Sequence, residues 1–134
     1  MKGSCLCKNV SYEIRRFSPH LSNCHCSMCR KFHGAAFATY GTVREKDITF
    51  NIQNDSLKIY RSSKIAERGF CSNCGSSIYY KFLNGRGTYD IALGTLDDEP
   101  DLAVEAHIFY ASKPLWSGEY NDALPKFAEE HDLP

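Results

Sequence analysis

The sequence predicts a single, mainly β domain of antiparallel strands, and three observations lead to that prediction. Short segments alternate apolar and polar side chains with the two-residue period of a half-buried strand. Turn-forming residues separate these segments, and Asn84-Gly85 is the strongest hairpin signal in the chain. Two cysteine pairs, at residues 5–7 and 71–74, would tie the N-terminus to the middle of the chain if they shared one site.

The strands are predicted in order from alternation and β-forming composition. Residues 10–14 and 48–52 alternate, and Asn54-Asp55 predicts a hairpin turn from the second of these into residues 57–60. The remaining strands are predicted at residues 35–40, 77–82, 88–96 and 106–110. A turn of helix is predicted at residues 29–33, ended by Gly34, and a short helix near Phe127.

Length and charge limit the classes of function. The 134 residues suffice for one domain, expected at residues 3–120 with a C-terminal tail at 121–134. Sixteen basic and sixteen acidic side chains give no strong positive field, so a nucleic-acid partner is not expected. No apolar run has the length of a membrane span, and the N-terminus lacks the apolar region of a signal peptide. The cytoplasm is therefore the expected compartment.

Seven cysteines give an odd number with close spacing, which suits metal binding better than disulfides. Cys24, Cys26 and Cys29 fall within six residues, where disulfide geometry would be strained. Zinc binds thiolates at about 2.3 Å in a tetrahedron, which places sulfur atoms roughly 3.8 Å apart. A curled turn supplies three such ligands locally, so the triplet is predicted to bind zinc.

The other four cysteines form two pairs, and the chain order is pair, triplet, pair. Cys5, Cys7, Cys71 and Cys74 together make one closed site, while the triplet keeps an open fourth position. Closed zinc sites are structural and open ones are typically catalytic. Two zinc ions per chain are expected. An iron–sulfur cluster uses the same ligands, but the knuckle that ends in Gly75 favours a mononuclear site.

Four groups of residues form a recognisable set of motifs: Gly3-Ser4-Cys5-Leu6-Cys7, Cys24-His25-Cys26-Ser27-Met28-Cys29-Arg30-Lys31, Phe70-Cys71-Ser72-Asn73-Cys74-Gly75, and His107-Ile108-Phe109 with Lys113 and Trp116. Together they resemble the glutathione-dependent formaldehyde-activating enzyme family. It implies a β-tent fold of antiparallel sheets around zinc. It also implies a structural zinc on Cys5, Cys7, Cys71 and Cys74, and a catalytic-type zinc on Cys24, Cys26 and Cys29. Glutathione binding and carbon–sulfur lyase chemistry are implied as well.

An open site of three thiolates suits a thiol substrate. A coordinated thiol is deprotonated, and the thiolate is the nucleophile. With glutathione and formaldehyde the expected product is an S-hydroxymethyl adduct, and its cleavage is the reverse reaction. Arg30 and Lys31 follow the triplet and are predicted to bind a carboxylate of the substrate or offset thiolate charge; the alternative is a solvated cation pair.

Two alternatives to an enzyme remain at this stage. His33 lies four residues after Cys29, on the same face of a helix, and would close the triplet site as a fourth ligand. The protein would then be a non-catalytic, zinc-stabilised binding module; metal or thiol sensing is a third interpretation. His25 is expected to face away from the metal, and His107 to be a core histidine. Tyr110 and Trp116 are expected in the core or in a pocket wall.

Overall fold

The computed structural model describes residues 1–130, and within them it forms a mainly β fold in which strands far outnumber helices. The strands are β1 Lys2–Ser4, β2 Val10–Ile14, β3 Leu21–Cys24, β4 Ala38–Arg44, β5 Ile48–Ile52, β6 Leu57–Tyr60, β7 Ala66–Cys71, β8 Ser77–Phe82, β9 Thr88–Ala92 and β10 Ala106–Ile108. The α-helix is α1 Ser27–His33, and short 3-10 helices lie at Glu45–Asp47, Leu93–Thr95, Tyr110–Ser112 and Leu115–Ser117.

These strands form two sheets. A three-stranded antiparallel sheet has the order β1-β2-β5, and a seven-stranded sheet has the order β10-β3-β4-β9-β8-β7-β6. All pairings are antiparallel except that of β10 with β3. The apolar faces of both sheets bury one core, which includes Val10, Ile14, Val43, Ile78 and Ile91. The expected mainly β, antiparallel fold is confirmed.

Several local predictions are confirmed with small changes of boundary. The strands predicted at residues 10–14, 48–52, 57–60 and 77–82 are present, and Asn84-Gly85 lies in the hairpin between β8 and β9. The predicted helical turn begins earlier, at Ser27, and ends at Gly34 in the left-handed conformation with φ 60°. The strand predicted at 88–96 ends at Ala92, where a 3-10 helix follows.

Two local predictions are wrong. Asn54 and Asp55 do form a turn with positive φ angles of 53° and 51°, but it does not close a hairpin. Strand β5 pairs with β2 and β6 pairs with β7, so the turn carries the chain from one sheet to the other. The helix predicted near Phe127 is an extended segment, because its backbone N–H donates to the carbonyl of His107 at 2.9 Å.

The segment predicted as a tail lies against the sheet over the part that the structure describes. The N–H of His107 donates to the carbonyl of Pro125, and the N–H of Tyr110 donates to that of Phe127. Within residues 1–130, no helix has the length and apolar character needed to cross a membrane.

A substitution at Gly69 tests how tightly the large sheet is packed. A Cβ added at Gly69 would lie 2.2 Å from the ring of Tyr79. Tyr79 is buried in the core, so the ring has little room to move. We expect Gly69→Ala to lower the free energy of unfolding by about 1–3 kcal/mol, measured by urea denaturation. Gly94→Ala is the matched control, since a Cβ there meets nothing within 4 Å. Equal stability of the two variants would contradict this packing.

Candidate metal centres and the adjoining cavity

The four paired cysteines meet in one cluster. The sulfur atoms of Cys5, Cys7, Cys71 and Cys74 all lie within 4.8 Å of one another. The distance from Cys5 to Cys7 is 3.6 Å, and that from Cys7 to Cys71 is 3.8 Å. These separations match the roughly 3.8 Å between sulfur atoms that share a tetrahedral zinc. All seven cysteines are free thiols, so the cluster fits a metal.

Two similar turns present these sulfur atoms. In the first, the N–H of Lys8, at φ 67°, donates to the carbonyl of Cys5 at 3.0 Å. In the second, the N–H of Gly75, at φ 80°, donates to the carbonyl of Cys71 at 2.7 Å. The positive φ is free of strain for glycine. The turn that follows Cys71 and the turn that begins at Cys5 thus each direct two thiols to one point.

The cysteine triplet forms a second cluster. The sulfur atoms of Cys24, Cys26 and Cys29 lie within 4.8 Å of one another, and within residues 1–130 no fourth histidine, cysteine or carboxylate ligand joins them. Cys24 ends β3, and Cys26 is the N-cap of α1, accepting from the N–H of Cys29 at 3.3 Å. A short helix therefore holds two of the three sulfur atoms in place.

The three thiols share their charge unequally. The neighbouring thiols Cys24 and Cys29 lower the pKa of Cys26. The pKa of Cys24 is raised, first by its interaction with Cys26 and then by that with Cys29. Three thiols this close therefore resist ionising together without a cation. A metal ion that accepts three thiolates fits this donor set.

Arg68 supplies a buried positive charge beside this cluster. Its Nη1 donates to the sulfur of Cys29 at 3.5 Å and to the hydroxyl of Tyr40 at 3.4 Å. Arg68 is 3% exposed, and its guanidinium lies 5.0 Å from the ring centroid of Tyr80 and 5.5 Å from that of Phe32. The arginine therefore offsets thiolate charge, the role that the sequence suggested for Arg30 and Lys31.

Arg30 and Lys31 are placed differently from Arg68. The Nε of Arg30 donates to the carbonyl of His25 at 3.2 Å, and its Nη2 to that of Ser112 at 3.5 Å. Lys31 is exposed on α1. Neither side chain is among the residues that line the large cavity beside the triplet. Their role in substrate binding stays a prediction.

The histidines occupy separate positions around the triplet. The Nε2 of His33 lies 3.0 Å from the hydroxyl of Tyr40, and His33 is not part of the metal-capable cluster. Burial, followed by the charge of Arg68, lowers the pKa of His33 to about 4. His25 faces away from the sulfur atoms, as expected, because its Nε2 lies 2.8 Å from the Nδ1 of His107.

His25 and His107 belong to a buried polar chain that ends at Asp122. The Nε2 of His107 lies 2.6 Å from the carboxylate of Asp122. His107 is fully buried, so the expectation of a core histidine with satisfied ring nitrogens is confirmed. Tyr110 packs on both imidazoles, with centroid distances of 5.2 and 5.6 Å. The expectation for Trp116 is wrong: it is 70% exposed, and Leu115 beside it in the same 3-10 helix is 96% exposed.

A cavity of about 510 Å³ opens beside the triplet. All three triplet cysteines line it, together with Tyr40 and Arg68. Its wall is completed by strand residues of the large sheet, by β10 and by the segment after β6. The volume is in the usual range for small-molecule sites. The sulfur atoms thus face a space that a small ligand can enter.

Comparison with known proteins identifies the family. The sequence model of the glutathione-dependent formaldehyde-activating enzyme family matches residues 1–112. The chain belongs to this family. The resemblance found in the sequence is therefore confirmed, and the cysteines of both clusters all fall within the matched region.

Relatives agree with this membership. An uncharacterised lyase of Schizosaccharomyces pombe is 30% identical over 113 residues, covering 84% of this chain and 80% of the relative. A Podospora anserina protein, named as a candidate glutathione-dependent formaldehyde-activating enzyme, is 32% identical over 56% of this chain and 36% of its own length. The crystal structure of a Rhodobacter sphaeroides protein has the same fold, with a TM-score of 0.64 at 23% identity, covering 94% of this chain and 99% of that one.

The two clusters differ in their expected contribution to folding. Cys71→Ser removes a ligand from the site that joins distant segments, so we expect it to unfold or aggregate the protein.

Cys26→Ser changes a cluster that is local in sequence, so we expect loss of about one zinc per chain with a near-native fold. Zinc content, thermal melts and circular dichroism check both results. A soluble Cys71→Ser protein with full zinc would contradict the structural role of the four-cysteine cluster.

Arg68 is expected to strengthen metal binding at the triplet alone. Arg68→Met keeps apolar bulk between Phe32 and Tyr80 but removes the charge beside Cys29. Hydrogen bonds to charged groups contribute about 1.5–3 kcal/mol, so we expect zinc affinity at the triplet to fall roughly tenfold to a hundredfold. Competition with a chromophoric chelator measures this. Lys64→Met, on the exposed loop before β7, is the control. Equal affinities in both variants would show that Arg68 does not support the metal.

Proposed function

We propose that this chain is a zinc-dependent carbon–sulfur lyase of the glutathione and formaldehyde type. It would hold two zinc ions, one structural on Cys5, Cys7, Cys71 and Cys74 and one catalytic on the triplet. The observation that carries the proposal is the set of three sulfur atoms that faces a 510 Å³ cavity without a fourth protein ligand among residues 1–130. Membership of a family named for this reaction supports it.

The chemistry follows from the donor set. Zinc held by Cys24, Cys26 and Cys29 would supply a cation that keeps a substrate thiol ionised. Arg68 adds positive charge next to Cys29, at 3.5 Å from its sulfur, and so favours the ionised state of the whole cluster. Cys26 and Cys29 are fixed by the first turn of α1, and Tyr40 donates to the sulfur of Cys29 at 3.7 Å. The cluster is thus preorganised for a sulfur substrate.

The proposed reaction balances without a redox partner. The thiolate lone pair forms a carbon–sulfur bond to the carbonyl carbon of formaldehyde, and the oxygen gains the π electron pair and then a proton. In the reverse direction the hydroxyl loses its proton, the carbonyl forms again and the carbon–sulfur bond breaks. The cavity holds both partners together, which contributes orientation. Arg30 and Lys31 remain proposed contacts for a substrate carboxylate at the rim.

The alternative is a non-catalytic, zinc-stabilised binding module in which the triplet metal only fixes a loop. His33 would be its fourth ligand. The 3.0 Å contact of His33 with Tyr40 favours the lyase, because it engages the imidazole with a tyrosine instead of the sulfur cluster. The seven free thiols are consistent with the reducing cytoplasm that we propose as the compartment.

Direct binding of a thiol to the triplet zinc is the test. X-ray absorption at the zinc edge reports the mean number of sulfur ligands per zinc. If one zinc has three sulfur ligands and the other has four, the mean number of sulfur ligands per zinc should rise towards four when glutathione is added. S-methylglutathione is the matched control and should leave the spectrum unchanged, because it has no ionisable thiol.

His33→Ala distinguishes the alternative. If His33 closed the site, this variant would lose zinc or gain access for the thiol, while the wild type would ignore glutathione. We expect His33→Ala to behave as the wild type. An unchanged wild-type spectrum, at saturating glutathione and full zinc occupancy, would overturn the lyase and leave the binding module.

A further inference from the structure

A row of side chains crosses the floor of the cavity, away from the triplet. Arg68 on β7 is opposite Tyr80 on β8, and Tyr80 is opposite Asp90 on β9. Asp90 is in turn opposite Thr42 on β4. Residues directly opposite each other on neighbouring strands place their side chains on the same face. All four line the cavity, so the row connects the charge beside Cys29 with a carboxylate on the far side.

Asp90 is held in position by a hydrogen bond to one carboxylate oxygen, while the other carboxylate oxygen has no hydrogen bond within residues 1–130. The hydroxyl of Thr42 donates to its Oδ1 at 2.6 Å. Within residues 1–130, no hydrogen bond reaches the other oxygen, Oδ2. Burial raises the pKa of Asp90 and the charge of Glu130 acts in the same direction, while the hydrogen bond from Thr42 and the charge of Arg86 lower it. An ammonium group placed at the free oxygen would stabilise the charged form of this carboxylate further.

Within the described lining of the cavity no lysine or arginine pairs with Asp90, although the charge of Arg86, outside the lining, acts on it. Arg68 is the one arginine or lysine in the lining that the structure describes, and it is already bonded to Cys29 and Tyr40. The other charged lining groups at this end are Glu130 and Glu105, and Glu105 lies 2.6 Å from the Nδ1 of His20. This end of the cavity therefore has a negative character, and it complements a positive group on a ligand.

The strand register fixes the span between Asp90 and the triplet. On β4, Ala38 is opposite Cys24 and Thr42 is opposite Asp90. Four residues along a strand and two strand spacings across the sheet separate the two α-carbons by roughly 16 Å. A sulfur–sulfur contact of roughly 3.8 Å at the triplet and an N–O contact of about 2.8 Å at Asp90 leave roughly 9–10 Å for the ligand, the length of two or three extended residues. A ligand that meets both ends is the size of a short peptide.

We propose that Asp90 determines specificity by binding the ammonium group of a short peptide thiol whose sulfur lies at Cys24, Cys26 and Cys29. The inference rests on the proposed function, because it takes thiol binding at the triplet as given. It adds the residue that recognises the free amine of such a thiol, two or three residue lengths from the sulfur. Thr42 is a positioning residue that orients the carboxylate.

Calorimetric titration of the zinc-loaded protein with two ligands tests this. Glutathione carries the ammonium, and its deaminated form, glutaryl-cysteinyl-glycine, differs only in lacking it. We expect wild-type protein to bind glutathione roughly tenfold to a hundredfold more tightly, as for a hydrogen bond between charged groups. In the Asp90→Asn variant, the affinity for glutathione should fall to that for the deaminated thiol. The affinity for the deaminated thiol should stay unchanged. The amide oxygen of the variant still accepts from Thr42, so the fold should persist.

Asp101→Asn is the matched control, since Asp101 is exposed and lies outside the cavity lining. It should retain the full preference for glutathione. Equal binding of the two thiols by wild-type protein would overturn the role of Asp90 and leave thiol binding at the triplet in place. The role of Asp90 would also be overturned if the Asp90→Asn variant lost affinity for both thiols equally. If neither thiol binds, the proposed function and the role of Asp90 are overturned together.

Discussion

The convergence of four sulfur atoms from two distant segments is the constraint on which the rest of the structure depends. Cys5 follows β1 in the small sheet, and Cys71 ends β7 in the large one. Their cluster joins the two sheets at one edge of the shared core. The same junction is reinforced by hydrogen bonds, for example from the N–H of Leu6 to the hydroxyl of Ser76 at 3.0 Å. The relative placement of the sheets is thus set by thiol geometry as well as by packing.

This constraint also positions the charged side chain beside the cysteine triplet. Arg68 lies three residues before Cys71 on the same strand, so fixing the end of β7 fixes the guanidinium beside Cys29. Gly69 between them admits the ring of Tyr79, and the register shifts there between β7 and β8. A bulge of this kind redirects side chains. The four-cysteine cluster is therefore linked to the triplet through one strand, β7.

The local features and the grouping of the cysteines into two clusters were predictable from the sequence, because both rest on residue spacing. Strands with strict alternation, such as β2, and the Asn84-Gly85 turn were predictable from short windows. By contrast, β3 was not predicted, because its four residues show no clear alternation and pair with the distant β10. Whether the Asn54-Asp55 turn closes a hairpin depends on which sheet each strand joins, and that is decided by the global fold.

The cavity was the feature least accessible from the sequence. Arg68 gave no signal, because a buried arginine is unusual and its partner Cys29 is 39 residues away. Asp90 was equally hidden, since its position depends on the register of three strands. Trp116 was also predicted wrongly: its aromatic character suggested the core or a pocket wall, yet its side chain is largely exposed.

The parallel pairing of β3 with β10 has a consequence for synthesis on the ribosome. Strand β3 and the first thiols of the triplet emerge long before β10, which covers the outer edge of β3. At about 5–20 residues per second, the delay is on the order of ten seconds. During that interval the growing chain presents an unpaired strand edge next to reactive sulfur, a combination that invites pairing with other chains and oxidation. A reducing environment and early metal binding would protect the nascent chain until β10 pairs with β3.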